Sequence, residues 1–265
     1  MLECVLNISE GRDEAILAAL VAAAGDALLD LHCDPHHHRS VLTLVGTDAV
    51  RSVAEVAVER IDLRDHVGVH PRIGVVDVVP FVALQGSTPT NALAARDAYA
   101  HWSASDLGVG CYLYGPERTL PDLRRAARAG ADPDVPARQP HPGGGATAAG
   151  QRDVLVAYNV WLAEPDLAQA RAIAAEIRRP GLRTLGLMVG DRAQVSMNLV
   201  EPDRVGPVSA YDAVAERAGV AGAELVGLLP RSVLAAVPPA RWAELDLAEE
   251  RTIEARLEEI RPSRA

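Results

Sequence analysis

Residues 154–199 read VLVAYNVWLAEPDLAQARAIAAEIRRPGLRTLGLMVGDRAQVSMNL. Val154 to Leu162 is rich in β-branched and aromatic residues and predicts a strand. Asp166 to Arg178 has the composition of a helix. Leu182 to Val189 and Gln194 to Leu199 predict two more strands, joined by the turn Gly190-Asp191-Arg192. Downstream, Val208 to Ala218 predicts a helix and Glu224 to Leu229 a strand. The order strand, helix, strand, strand, helix, strand is that of a split βαβ unit. Arg241 to Ile260 predicts a charged terminal helix, with Glu-to-Arg spacings suited to an exposed face.

The chain before this stretch opens in the same order. Leu2 to Asn7 predicts a strand, and Ser9-Glu10-Gly11-Arg12 a turn. A helix over Asp13 to Ala24 and a strand over Ala27 to Leu31 follow. His32 to Arg39 is polar and predicts a turn before a β-rich run, Ser40 to Val45. Thr47 is placed to cap a helix over Asp48 to Arg60, and Gly74 to Val82 predicts a strand. Asn91 to Ala104 (helix), Val109 to Tyr114 (strand) and Leu120 to Ala129 (helix) extend this half. Gly130 to Gly150 is dominated by Pro, Gly and small residues and predicts a long loop, the natural domain boundary. The fold class is therefore α+β: two tandem ferredoxin-like α/β subdomains of the β-α-β-β-α-β type, over residues 1–153 and 154–265. No internal sequence repeat marks a duplication.

The 265 residues include 49% hydrophobic side chains but only 3% aromatic, so the core is expected to be built from Ala, Val, Leu and Ile. A net charge of -10 argues against generic nucleic-acid or anionic-membrane binding. Every basic side chain is arginine, which excludes a Schiff-base or P-loop lysine. Cys4, Cys33 and Cys111 are few and widely spaced, which predicts free thiols and a reducing cytoplasm rather than a disulfide framework. The N-terminus lacks the basic and long apolar regions of a secretory leader. Apolar runs such as Ala15 to Ala24 are too short to span a bilayer.

The chemistry is expected at residues 66–81, HVGVHPRIGVVDVVPF. Two histidines and an arginine occupy seven positions. Pro71 disfavours α geometry at His70, so that imidazole is expected to be aimed by extended backbone. Histidine titrates near neutrality, as a proton shuttle requires. The plain alternative is a surface loop with solvated side chains.

The segments ECVLNISEGR, DPHHHRSVLTLVG, IDLRDHVGVHPRIGVVDVVPF, YLYG, HPGGGATAAGQRDVLVAYNV, AQVSMNL and LVGLLP run in order along nearly the whole chain. In them the chain resembles the formiminotransferase domain of glutamate formimidoyltransferase, without the cyclodeaminase domain. The resemblance implies transfer of a formimino group between N-formimino-glutamate and tetrahydrofolate as co-substrate. It implies a ligand cleft between the subdomains and a homodimer, with His70 as the acid/base. Arg72 and Arg39 are candidates by position to clamp a substrate carboxylate, the alternative for each being a structural ion pair. His32 stands where the family carries a catalytic aspartate. Val67, Val69 and Val135 replace the family's Lys, Glu and Phe. The stretch Pro136 to Gly145 aligns with the folate loop, giving His141, Gly143, Gly144 and Gly145 as candidate folate contacts. Glycines there would admit a flat ligand or serve a flexible linker. Gln194, Ser196 and Asn198 alternate along one strand and so share a face that can offer polar contacts.

Two other readings stand beside this one. The substitutions fit a diverged homologue that binds a pterin or another small molecule without transfer. The run His32-Cys33-Asp34-Pro35-His36-His37-His38 fits a metal-binding protein, although it matches no standard zinc spacing.

Overall fold

The structure is a computed structural model and describes residues 1–68 and 72–260. It divides into two compact units, Met1–Asp153 and Val154–Ala265.

The first unit opens with strand β1 (Leu2–Ile8) and helix α1 (Glu14–Ala24), followed by strands β2 (Leu28–Asp34) and β3 (Arg39–Val45). Helix α2 (Asp48–Arg60) and strand β4 (Val76–Ala83) complete the first β-α-β-β-α-β order. Asp13 starts α1 by accepting from the amides of Ala15 and Ile16. The α2 helix buries Val50, Val53, Ala54, Ala57 and Val58, the three-and-four spacing of a single helix face. Its N-terminus differs from expectation, because the Thr47 side chain makes no capping bond. The turn after β2 is also shorter than the sequence implied. Cross-strand pairing runs out to Asp34 opposite Arg39, leaving only residues 35–38 in the turn.

Helix α3 (Pro89–Trp102), strand β5 (Gly110–Tyr114), helix α4 (Leu120–Arg128) and strand β6 (Ala146–Gln151) follow. Thr88 and Asn91 cap α3 reciprocally, with Pro89 at its first turn. The sheet order is β2-β3-β1-β4-β6-β5. The first four strands are antiparallel, whereas β6 runs parallel to both β4 and β5. The sequence reading of 130–150 as one loop is thus corrected: its last residues form an interior strand.

Successive strand residues point to opposite sheet faces. One face, with Cys4, Leu6, Ile8, Leu42, Leu44, Val79 and Phe81, packs against α1, α2 and α3. A smaller cluster of Val78, Tyr112, Tyr114, Ala148 and Leu123 seats α4 on the other face. That other face also carries Asp30, His32, Asp34 and Arg39 on β2 and β3.

The second unit is simpler. Strand β7 (Val156–Leu162), helix α5 (Leu167–Ile177), strands β8 (Leu182–Val189) and β9 (Arg192–Leu199), helix α6 (Pro207–Ala215) and strand β10 (Val220–Val226) form a four-stranded sheet. It is antiparallel, in the order β10-β7-β9-β8. Its core takes Val156, Tyr158, Val160 and Leu162 from β7, and Ala193, Val195, Met197 and Leu199 from β9. These sit against Ala170, Ile173, Ala174 and Ile177 of α5. The Tyr158 hydroxyl donates to the Leu245 carbonyl at 2.8 Å. The expected continuous helix from Arg241 is instead a broken segment. The short helix α7 (Arg231–Ala235) is followed by 3-10 turns, and α8 spans only Ile253–Ile260. Asp246, at φ 54°, interrupts the helical path between them. Both units thus share the antiparallel order second-third-first-fourth strand, and the first adds α3, β5, α4 and β6.

Candidate active site

His70 lies outside the described residues, but the chain on both sides of it is placed. Three stretches meet at one end of the first sheet: the turn after β1, the β2–β3 turn, and residues 66–68. Arg12 ties them together, donating to the carbonyls of Pro35 at 2.6 Å and Val67 at 3.2 Å. Glu10 holds the first loop by accepting from the amides of Gly11, Arg12 and Asp13.

Imidazoles line this junction. His38 has φ 52°, a left-handed conformation uncommon outside glycine and Asn-like residues. Its Nδ1 accepts from the Gly11 amide at 3.2 Å. Burial pushes the His38 pKa down, against the pull of the Glu10 carboxylate 3.2 Å away. The His66 ring stacks on His38 with centroids 4.1 Å apart. Burial, then the Arg72 guanidinium, lower its pKa as well. A neutral His66 satisfies both nitrogens: Nδ1 accepts from Arg72, and Nε2–H donates to the His38 carbonyl at 3.2 Å. Arg72 is thereby held against His66.

Arg39 lies opposite Asp34 in the β2–β3 pairing, and His32 lies two residues along β2 on the same face. Burial brings the Arg39 pKa down to about 10, with Asp77 and Asp34 opposing the shift. Burial alone would raise the Asp34 carboxyl, but hydrogen bonds from His37 prevail and hold it at about 2. Asp77 is only 2% exposed. It accepts from the Ile73 amide at 2.8 Å and from Arg124 Nη2 at 2.7 Å. This end of the sheet therefore gathers Arg12, Arg39, Arg72 and Arg124 around few carboxylates, a setting that favours an anionic ligand.

The glycine run is built into the same structure. The Gly143 carbonyl accepts from Leu63, the Gly144 carbonyl from Val75, and Ala146 N–H donates to Ile73. A Cβ on Gly143 would lie 2.5 Å from Asp62 Oδ1, and one on Gly145, at φ +68°, 2.4 Å from the Ile73 carbonyl. The close approach is thus made by the protein's own backbone and side chains, which rules out a loose linker at this point. His141 Nδ1 accepts from the Gly143 amide at 3.3 Å.

In the second unit Gln194, Ser196 and Asn198 share the sheet face opposite α5, because Ala193, Val195, Met197 and Leu199 take the helix side. Gln194 is buried and Asn198 exposed. Asn159 donates to Glu224 Oε2 at 3.0 Å and Gln194 approaches the same oxygen at 3.5 Å.

Among the described residues no group of three His, Cys, Asp or Glu side chains is placed to hold a metal ion. The histidine-rich run is divided between strand faces and separate hydrogen bonds: His37 is engaged by Asp34, and His38 by Gly11. Cys4, Cys33 and Cys111 are free. Among the described residues no helix is long and apolar enough to cross a membrane.

Glu10, Asp77 and Arg124 were not singled out by sequence reasoning, and His38 only as part of a candidate metal-binding run. Asp77 had a signal, a lone carboxylate inside the apolar run VVDVVP. Arg124 was one of several arginines in its helix and had none.

Fold and site define a class: a two-unit α+β protein whose first unit concentrates guanidinium and imidazole groups at one sheet end. Residues 1–152 match the model of the formiminotransferase domain, N-terminal subdomain. The chain is 34% identical to a glutamate formimidoyltransferase of Streptococcus pyogenes serotype M1, over 88% of this chain and 90% of that protein. It is 32% identical to a glutamate formimidoyltransferase of Thermoplasma acidophilum, over 88% and 89% respectively. A formimidoyltransferase-cyclodeaminase of Sus scrofa is 31% identical, and there the match covers 51% of the relative's length. The chain belongs to the formiminotransferase family.

Proposed function

We propose that the protein is a glutamate formimidoyltransferase, moving the formimino group between N-formimino-glutamate and tetrahydrofolate. The observation that carries this reading is the junction around residues 66–73. In a chain of this family, it gathers Arg72, Arg39, His66 and Asp77 at one end of the first sheet. An amine of one substrate attacks the amidine carbon, forming a C–N bond and a tetrahedral intermediate. The other C–N bond then breaks and the second amine leaves. The attacking nitrogen loses a proton and the leaving nitrogen gains one, and His70 serves both steps. Arg39 and Arg72 clamp the glutamate carboxylate. His32 shares the face of Arg39 and borders the same end of the site. His141 and Gly143 to Gly145 contribute to the folate side, and Gln194, Ser196 and Asn198 offer polar ligand contacts on the second unit. The same reading makes both units ferredoxin-like, residues 1–153 and 154–265 the two formiminotransferase subdomains, and the protein a cytoplasmic homodimer.

Transfer is measured by incubating the protein with N-formimino-glutamate and tetrahydrofolate and following loss of the amidine. Replacement of His70 by Ala is expected to cut turnover on the order of 10²–10⁴-fold while calorimetric binding of tetrahydrofolate persists. Undiminished turnover in His70→Ala removes that residue from the mechanism. A folded wild-type protein that binds neither substrate overturns the function.

A further inference from the structure

We infer that Asp77 and Arg124 are a positioning pair for formimidoyl transfer, holding the chain that leaves the His-Pro-Arg segment so that Arg39 and Arg72 keep their places at the site. This rests on the function proposed above. Three features of β4 carry it.

The first is a bulge. Asn7 of β1 pairs with Val78, but the next residue, Ile8, pairs with Val76, so Asp77 is an extra residue in the ladder. A bulge re-aims the side chain it carries. Here the freed carboxylate turns back on its own strand and takes the Ile73 amide at 2.8 Å. Residue 73 follows Arg72 directly, so this bond fixes where the Arg72 backbone ends.

The second is the bond to α4. Arg124 Nη2 lies 2.7 Å from Asp77 Oδ2, and the Asp77 side chain is 3% exposed. Leu123, the preceding residue, is fully buried in the cluster that includes Val78. The seat of α4 and the aim of Asp77 are therefore coupled. Arg124 Nε is buried with no hydrogen-bond partner among the described residues, so Asp77 is what fixes that guanidinium.

The third is charge. Asp77 is the leading favourable charge on both Arg39 and Arg72. Asp34, the other carboxylate that acts on Arg39, is already engaged by His37. One buried carboxylate thus serves three guanidiniums, as the ion-pair partner of Arg124 and the leading opposing charge on Arg39 and Arg72. Neutralising it removes that charge and weakens the hold on all three.

A buried ion pair can also serve stability alone, and kinetics separate the two roles. Asp77→Asn keeps the shape and an acceptor for the Ile73 amide while removing the charge. It is expected to lower kcat/KM for N-formimino-glutamate on the order of 10²-fold, the effect of a small misplacement of reacting groups, with KM for tetrahydrofolate little changed. Arg124→Lys is expected to restore part of what Arg124→Ala loses. A lower melting temperature with kcat and both KM values unchanged, measured where every variant is folded, overturns the proposal. A second readout needs no activity: NMR titration of the imidazoles. In Asp77→Asn, Arg72 is expected to move off His66, and the His66 pKa to rise toward its ordinary value. An unmoved His66 titration also overturns the proposal. A wild-type protein without transfer would sink the function itself, while the titration would still judge the pair.

Discussion

At the scale of single residues, His66 shows how a weak base can act as a fixed structural part. Its Nδ1 accepts from Arg72, so protonation of that nitrogen sets two cations against each other. Burial and Arg72 both depress its pKa, so the folded protein binds this proton less readily than the unfolded chain. The sign follows: His66 contributes stability that is present above about pH 6.5, the unfolded value, and is lost as the pH falls toward the lower folded value. Replacement by Asn keeps an acceptor close to the Nδ1 position and cannot titrate. The unfolding free energy of wild type minus that of His66→Asn is therefore expected to shrink as urea titrations are repeated from about pH 7.5 down to about pH 5, a window set by the same reference pKa. A difference that stays flat across that window removes His66 as the acid-sensitive contact. Arg72 and Arg39 could be picked out in the sequence because a motif carries them. Glu10, and the part His38 plays beside His66, could not, since these roles arise where loops 28 residues apart converge, as the His38–His66 stack does. Local spacing does not encode such convergence.

At the scale of elements, β6 is the instructive failure. Ala146-Thr147-Ala148-Ala149-Gly150-Gln151 has almost none of the β-branched or aromatic residues that mark a strand. It is small because of its position. Strand β6 lies between β4 and β5, Ala148 and Ala149 are fully buried, and the Tyr114 ring occupies the space beside Gly150. A Cβ on Gly150 would meet that ring at 2.0 Å. Gly150→Ala is therefore expected to destabilise the protein by about 1–3 kcal/mol, the usual cost of overpacking. Were this stretch the loop its composition suggests, the same change would be neutral or slightly stabilising through the unfolded chain. A chemical-denaturation midpoint equal to or above that of wild type would restore the loop reading. The C-terminal segment errs the other way. Its charged pattern suits a helix, but Asp246 takes a left-handed turn, accepts from Leu225 N–H at 2.8 Å and pairs with Arg251. Tertiary contacts there override local propensity.

At the scale of the whole molecule, the order β-α-β-β-α-β was legible twice, because periodicity and turn residues mark element type even where they misplace boundaries. The pairing order was not legible, since it depends on contacts between strands far apart in sequence. Each unit nevertheless closes its own core. The second unit buries residues from Val156 to Leu247 in one cluster, drawn entirely from residues after 153. Among the described residues its four strands pair only with one another, and the C-terminal segment closes on the sheet through Tyr158 and Leu245. A segment whose own sheet and helices enclose a complete core meets the physical requirements of an independently folding domain. Residues 154–265 expressed alone are therefore expected to unfold cooperatively in urea, with an m-value of about 1–3 kcal/mol/M. They should show no transfer activity, because the arginines and imidazoles of the candidate site belong to the first unit. A broad, non-cooperative transition together with the dye binding of a collapsed globule would show that this core depends on the first unit to form.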